Sequence, residues 1–315
     1  MNTTHLLCTL VWCLTVCTAF SQQLPLLSQF QESAGVLNPA ALSSNFFRYE
    51  QNAQLTATHH SQWTGIEGNP RTSQLVGEMI FDDYSPVSPI AGVYFINDQT
   101  GPTGLTGLYA KFGGVLSDDP YEYGISAAFQ FGINQYRLRI SELDLRDAET
   151  IYAAGDDNRI YPDAGIGLFA YKRFGESLLY GGLSAPQILG LNLDFRGQDG
   201  TIQTQRYRHY YAQLGLQQDL GDYSFLEAVG WLKHVPGVPV HVNATLRYQT
   251  PSAFFIGLGA SSSNSFHGEA GVILGDRTGS SPMMRIGYGF DYSFASYGSY
   301  AGPSHEIHLS YSFNR

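Results

Sequence analysis

Between Ser304 and Phe313 the sequence alternates apolar and polar residues without a break. Ile307, Leu309, Tyr311 and Phe313 fall on one side of an extended strand, and Glu306, His308, Ser310 and Ser312 on the other. Such a strand needs two different solvents. In a water-soluble sandwich the apolar row would face a protein core. Here many segments repeat the pattern, and no long apolar or helical segment follows the N-terminus to cover them. A closed barrel with hydrocarbon outside and a polar interior satisfies every strand at once.

Composition supports that reading. The 315 residues carry a formal net charge of −10, with 14% charged residues, 14% aromatics and 35 glycines. The charged fraction is well below that of a typical soluble domain, whereas Tyr and Phe are abundant, as in the aromatic girdles of membrane barrels. An acidic chain with few Lys and Arg also argues against nucleic acid as a partner, because binding phosphates requires clustered positive charge.

Met1 to Ser21 has the form of a secretory signal peptide. Leu6 to Phe20 is almost wholly apolar but short for a membrane span, and Ala19-Phe20-Ser21 places small residues at −3 and −1 before Gln22. A competing lipoprotein box, Leu14-Thr15-Val16-Cys17, has a large residue before its cysteine. Cys8, Cys13 and Cys17 all lie in this segment, so the mature chain is expected to have no disulfide. No later apolar run is long enough for a membrane helix.

Residues 22–50 show no strand period and are expected to form a periplasmic lead-in or a plug before the first strand. The barrel is expected over 51–315, with strands near 51–62, 72–82, 89–97, 104–115, 121–140, 164–174, 177–185, 206–217, 222–234, 239–249, 253–262, 266–274, 282–293 and 304–313. The two clearest alternations run from Val240 to Gln249 and from Met284 to Tyr292. Reading 121–140 as one strand gives about fourteen. Both long connections, 141–163 and 186–205, then fall outside the cell, and the short ones near Gly175-Glu176, Asp219-Leu220-Gly221 and Thr250-Pro251-Ser252 fall in the periplasm. The fold class is therefore all-β, a transmembrane antiparallel barrel.

The search for chemistry returns little. There is no His-Glu-x-x-His, phosphate loop or Gly-x-Ser-x-Gly elbow, and the Gly-x-Gly pairs at 165–167 and 257–259 sit in strands with no helix after them. His59 and His60 are sequence neighbours and so point to opposite faces of a strand. The acidic loop, with Glu142, Asp144, Asp147, Glu149, Asp156, Asp157 and Asp163, matches no calcium-loop spacing and reads as a solvated loop, with a divalent-cation site as its alternative. Asn243-Ala244-Thr245 is a glycosylation sequon in the middle of a strand. Glu306 and His308 share the inward row of the last strand and are expected to bond to Arg285 or Asp291 on the strand before it, as interior braces or as contacts for a bound partner. No catalytic residue, cofactor or metal ligand is expected.

Several stretches resemble the PorP/SprF outer-membrane proteins of Bacteroidetes. The end of the chain carries Gly287-Tyr288-Gly289-Phe290-Asp291-Tyr292, then Gly302-Pro303-Ser304-His305-Glu306-Ile307 and Leu309-Ser310-Tyr311. Earlier come Ser28-Gln29-Phe30 with Asn38-Pro39-Ala40, Gln62-Trp63-Thr64-Gly65-Ile66 with Gly68, Pro70 and Thr72, Asn97-Asp98 with Gly101, Pro162-Asp163 with Gly165-Ile166-Gly167, and Tyr180-Gly181-Gly182-Leu183-Ser184. The chain departs from the family at Leu226-Glu227-Ala228 and at Ala260-Ser261. The resemblance implies an outer-membrane component of type IX secretion and gliding motility, which helps secrete or anchor a surface protein such as an adhesin through its C-terminal domain, alongside other secretion and motility parts. Trp63, Arg285, Asp291, Glu306 and His308 are the candidate lumenal or structural residues. A general or selective porin is the second expectation, and an outer-membrane hydrolase the third.

Overall fold

The structure is a computed structural model that describes residues 30–81, 86–139, 156–190, 192–197, 200–275, 277–296 and 298–315. The expected signal peptide and residues 142–149 of the acidic loop lie outside the described residues.

Sixteen strands follow a short helical segment. They are β1 (Ala53–Ser61), β2 (Arg71–Ile80), β3 (Val87–Thr100), β4 (Thr103–Leu116), β5 (Tyr123–Leu138), β6 (Asp157–Phe174), β7 (Ser177–Gln187), β8 (Asn192–Gly197), β9 (Gly200–Gln205), β10 (His209–Gly221), β11 (Ser224–His234), β12 (His241–Gln249), β13 (Phe254–Ser261), β14 (Ser265–Gly275), β15 (Met283–Ser293) and β16 (Ser304–Phe313). Fourteen of them, all but β8 and β9, form one closed barrel in sequence order. Each neighbouring pair is antiparallel, and β1 joins β16 from Ala53↔Phe313 to Ser61↔His305, which leaves no free edge.

The alternation read from the sequence is the alternation in space. On β16 the side chains of Glu306, His308, Ser310 and Ser312 are buried in the lumen, while Ile307, Leu309 and Tyr311 are exposed on the outside. Leu55, Leu108, Phe129, Leu214 and Ile256 likewise stand more than half exposed on the outer wall. An apolar band of this kind is stable only against hydrocarbon. His59 is exposed and His60 buried, on opposite faces of β1.

Two features depart from the expected layout. The 186–205 connection holds a hairpin, β8 paired with β9 outside the barrel sheet. The turn expected at Asp219-Leu220-Gly221 lies instead at Asp222 and Tyr223, whose φ angles are 51° and 59°. A register shift between Asp219 and Gly221 carries β10 through the expected turn, and two left-handed residues then reverse the chain in the manner favoured by the twist of a hairpin.

The interior is also less uniformly polar than expected. Ile80, Ile90, Val115, Ala128, Phe169, Tyr171 and Leu178, on β2 to β7, form an apolar lumenal sector. Its occupant is the segment before β1. Its described residues 30–50 pack inside the barrel as a plug.

Candidate functional site

The plug is short and tightly turned. A 3₁₀ turn (Phe30–Ser33) leads into α1 (Ala34–Leu37), and Asn38 to Ser43 lead into α2 (Ser44–Tyr49). Ser43 caps α2 by accepting a hydrogen bond from the Phe46 N–H at 3.3 Å, and Glu50 ends it at a φ of 52°. The helix presents Phe46 and Phe47 to the apolar sector, where Phe46 stacks on Tyr121 at 5.0 Å and Phe47 meets Tyr171 edge-on at 4.7 Å. Arg48 at its far end pairs with Asp219 of β10 at 2.7 Å. The fit is close. Among the voids between plug and wall are two of about 20 and 10 Å³, each room for one water at most.

Opposite the apolar sector, Glu32 is the electrostatic centre of the lumen. Its Oε1 accepts from Arg247 Nη1 of β12 at 2.7 Å and from Arg285 Nη1 of β15 at 2.5 Å. Arg247 also grips Glu269 of β14 with both fork nitrogens, at 2.8 and 2.9 Å. His308 of β16 approaches the other Glu32 oxygen at 3.8 Å and bonds Thr58 of β1 at 3.1 Å. The two guanidinium groups stand over the Phe255 ring at 5.2 and 5.3 Å. One carboxylate from the plug therefore ties β12 to β15, with His308 of β16 standing beside it. Burial favours the neutral Glu32 carboxyl, but Arg285 and Arg247 outweigh it and hold the group down to about 2.

A second lock depends on missing side chains. Asn38 donates from Nδ2 to the Leu168 carbonyl at 3.0 Å and accepts from the Ala40 N–H at 3.0 Å. It reaches the wall because Gly167 and Gly182 have no Cβ. One built at Gly167 would stand 2.0 Å from Asn38 Oδ1, and one at Gly182 would stand 2.5 Å from its Nδ2. Ser184 Oγ donates to the Leu37 carbonyl at 2.7 Å, and Ser126 Oγ to the Ala40 carbonyl at 2.9 Å. The Asn38-Pro39-Ala40, Gly165-Ile166-Gly167 and Tyr180–Ser184 stretches thus meet at one place.

Another pair of stretches meets at one rim of the barrel. The β1–β2 loop lies on the β15–β16 loop, with the Trp63 N–H donating to Ser304 Oγ at 3.1 Å, Thr64 N–H to the Pro303 carbonyl at 2.9 Å and Gly65 N–H to the Ala301 carbonyl at 2.9 Å. Trp63 takes a φ of 53° to make this turn.

Of the residues expected from sequence, Arg285 and His308 do converge, but through Glu32. The ladder places Gly287 and Gly289 across from His308 and Glu306, and Arg285 and His308 both face Glu32 of the plug. Glu306 is fully buried on the same lumenal row. Asp291 pairs in register with Ser304 near the rim, where Trp63 also sits. Asp163, assigned to the acidic loop, belongs to the lumenal face of β6 and pairs with Arg206 at 2.7 Å. Among the described residues no group of three or more His, Cys, Asp or Glu is placed to hold a metal. Sequence reasoning missed Glu32 and Glu269, and it gave no partner to Asn38 or Arg247. Glu32 had left a signal, as the one acidic residue between Gln22 and Tyr49.

The comparisons with known proteins follow this geometry. The barrel resembles the Pseudomonas putida toluene transporter TodX (TM-score 0.55, 10% identity, covering 94% of this chain and 100% of that one). It also resembles the translocator domain of the autotransporter NalP from Neisseria meningitidis (TM-score 0.51, 12% identity, 84% and 88% covered) and a Pseudomonas aeruginosa FadL homologue (TM-score 0.50, 9% identity, 84% and 90%). At these identities the likeness is one of fold, that of an outer-membrane β-barrel. No curated protein matches the sequence. The family described as type IX secretion system membrane protein PorP/SprF matches residues 19–311, nearly the whole chain. The protein belongs to the PorP/SprF family of type IX secretion system outer-membrane proteins.

Proposed function

We propose that this barrel is a non-enzymatic docking component, which holds a secreted surface protein, an adhesin or motility protein, at the outer face through that protein's C-terminal domain and contacts other secretion parts. The observation that supports this over a porin is the plug. A passive channel needs a continuous aqueous path, whereas here Phe46 and Phe47 pack into one side of the lumen and Glu32 is ion-paired on the other. The clasped outer loops add a rigid rim on which a partner can rest with little loss of conformational entropy.

The test is a native pull-down of the tagged protein from gently solubilised outer membranes, with deletion of its gene in parallel. Docking predicts recovery of a large secreted protein together with secretion or motility lipoproteins, and loss of that protein from the surface of the deletion strain. A barrel recovered alone, conducting ions steadily in a planar bilayer, would replace this reading with a porin.

A further inference from the structure

The lumen pairs its buried cations with care. Arg48 meets Asp219, Lys111 meets Glu78, Arg206 meets Asp163, and Arg247 and Arg285 meet Glu32, each within 2.7 Å. Lys233 of β11 departs from this pattern. Its exposure is 6%, and it makes no hydrogen bond or ion pair with any described residue. Its side chain is buried while its ammonium nitrogen keeps contact with the open lumen, with no acidic partner among the described residues, so it is placed to meet an anion that enters the mouth.

Its neighbours suit that role. The ladder sets Tyr211 of β10 and His241 of β12 directly across from Lys233, one on each side, so three adjacent strands present three polar heads in one lumenal row. The Tyr211 hydroxyl is buried and has no partner among the described residues. Trp231, on the next inward row of β11, packs against both flanks, 6.1 Å from the Tyr211 ring and 5.2 Å from that of His241. The row lies at the outer mouth, since Lys233 is the penultimate residue of β11 and His241 the first of β12, on either side of the outer 235–240 loop. No acidic side chain occupies the row.

We propose that Lys233, flanked by Tyr211 and His241, forms a carboxylate-binding seat in the outer mouth of the lumen, which receives an acidic side chain of a docked polypeptide. A single ammonium balances the single charge of a carboxylate, and a tyrosine hydroxyl can donate to its second oxygen. A phosphate dianion would leave one charge unmatched. The identity of the polypeptide rests on the docking reading; the seat itself does not.

Trp231 supplies the readout. In a chain with Trp12 and Trp63 replaced by Phe it is the sole tryptophan. The purified barrel is titrated with an N-acetylated, C-amidated Gly-Glu-Gly peptide, with its Gly-Gln-Gly counterpart and with inorganic phosphate, following Trp231 fluorescence. The seat predicts a saturable change with the Glu peptide alone. Lys233→Met should weaken it by about tenfold or more, the loss of a charge-assisted contact, whereas Lys233→Arg should keep it. Heat-modifiable migration in gels confirms that each variant forms a barrel, and the Arg variant keeps the test decisive should the Met variant fail to fold. An equal response to the Gln peptide, a response to phosphate alone, no response at all, or an unchanged Lys233→Met titration would each overturn the seat. The pull-down separates the two claims. A surface protein recovered by a barrel that ignores the Glu peptide removes the seat and keeps the docking reading, and the reverse pattern removes the docking reading and keeps the seat.

Discussion

Glu32→Gln isolates the electrostatic half of the plug lock. The substitution keeps the shape of the side chain and the packing of Phe46 and Phe47, but it removes the charge that Arg247 and Arg285 share. At 1.36 kcal/mol per pH unit, holding the carboxyl at about 2 in place of its ordinary 4.5 corresponds to about 3 kcal/mol in favour of the charged, seated plug. That agrees with the roughly 3–5 kcal/mol lost when one partner of a buried ion pair is deleted. Three kilocalories change an equilibrium by about a hundredfold, so a plug that leaves the lumen rarely in the wild type should leave it about a hundred times more often in the variant.

Planar bilayers read this directly as the fraction of time that single barrels conduct. Labelling of an Ala41→Cys probe in the plug by a membrane-impermeant thiol reagent reads it independently. The pH dependence has a definite sign. A carboxyl held below its unfolded value contributes stability that is complete above pH 4.5 and declines as pH falls through about 2, so wild-type conduction should rise across that window. In Glu32→Gln the Glu32 contribution to the rise should be gone. Equal conduction and equal labelling in variant and wild type at neutral pH would refute the view that Glu32 holds the plug.

Other perturbations test separate contacts. Asn38→Ala removes the bonds to Leu168 and Ala40 and should cost about 1–2 kcal/mol of plug seating, visible as faster Ala41→Cys labelling. Gly167→Ala places a methyl against Asn38 and the Ala40 backbone, so it should unseat the same turn by about 1–3 kcal/mol in the same assay while the outer wall stays intact. Gly65→Ala brings a Cβ within 2.9 Å of the Tyr300 carbonyl, which should part the two rim loops and raise proteolysis near Ala301 on intact cells, with little effect on conduction. Leu309→Arg, in the middle of the outer band of β16, should destabilise the barrel by about 2–4 kcal/mol in urea refolding into vesicles.

The barrel was legible because its signal is local and repeated. Each strand states its own two faces, as in Val240 to Gln249, and parity of the loops sets the count. The β8–β9 hairpin was not read, although Asp199-Gly200 offered a turn signal, because its strands are only six residues each and lie in a stretch already taken as a loop. The lumen was legible only in part. Arg285, Glu306 and His308 were found from the inward row of β16 and its neighbour. The plug carboxylate that Arg285 binds could not be, since Glu32 lies 253 positions from Arg285 and no periodicity spans that interval. Lys233 was equally invisible, because in the sequence a lysine at a strand end reads as an ordinary rim charge.

The stretches by which the sequence resembled its family acquire a physical meaning once they are placed in space. Asn38-Pro39-Ala40, Gly165-Ile166-Gly167 and Tyr180-Gly181-Gly182-Leu183-Ser184 build the plug seat. The Gln62–Ile66 and Gly302–Ile307 stretches build the rim clasp that lies over the β1–β16 closure. Neither group assembles a nucleophile with a base. Both do the same physical work, fixing backbone against backbone where a single Cβ would force the parts apart. A barrel whose purpose was conduction would gain nothing from an interior fitted this closely. One that holds a partner gains, because each degree of freedom already fixed in the platform is one that binding does not have to remove.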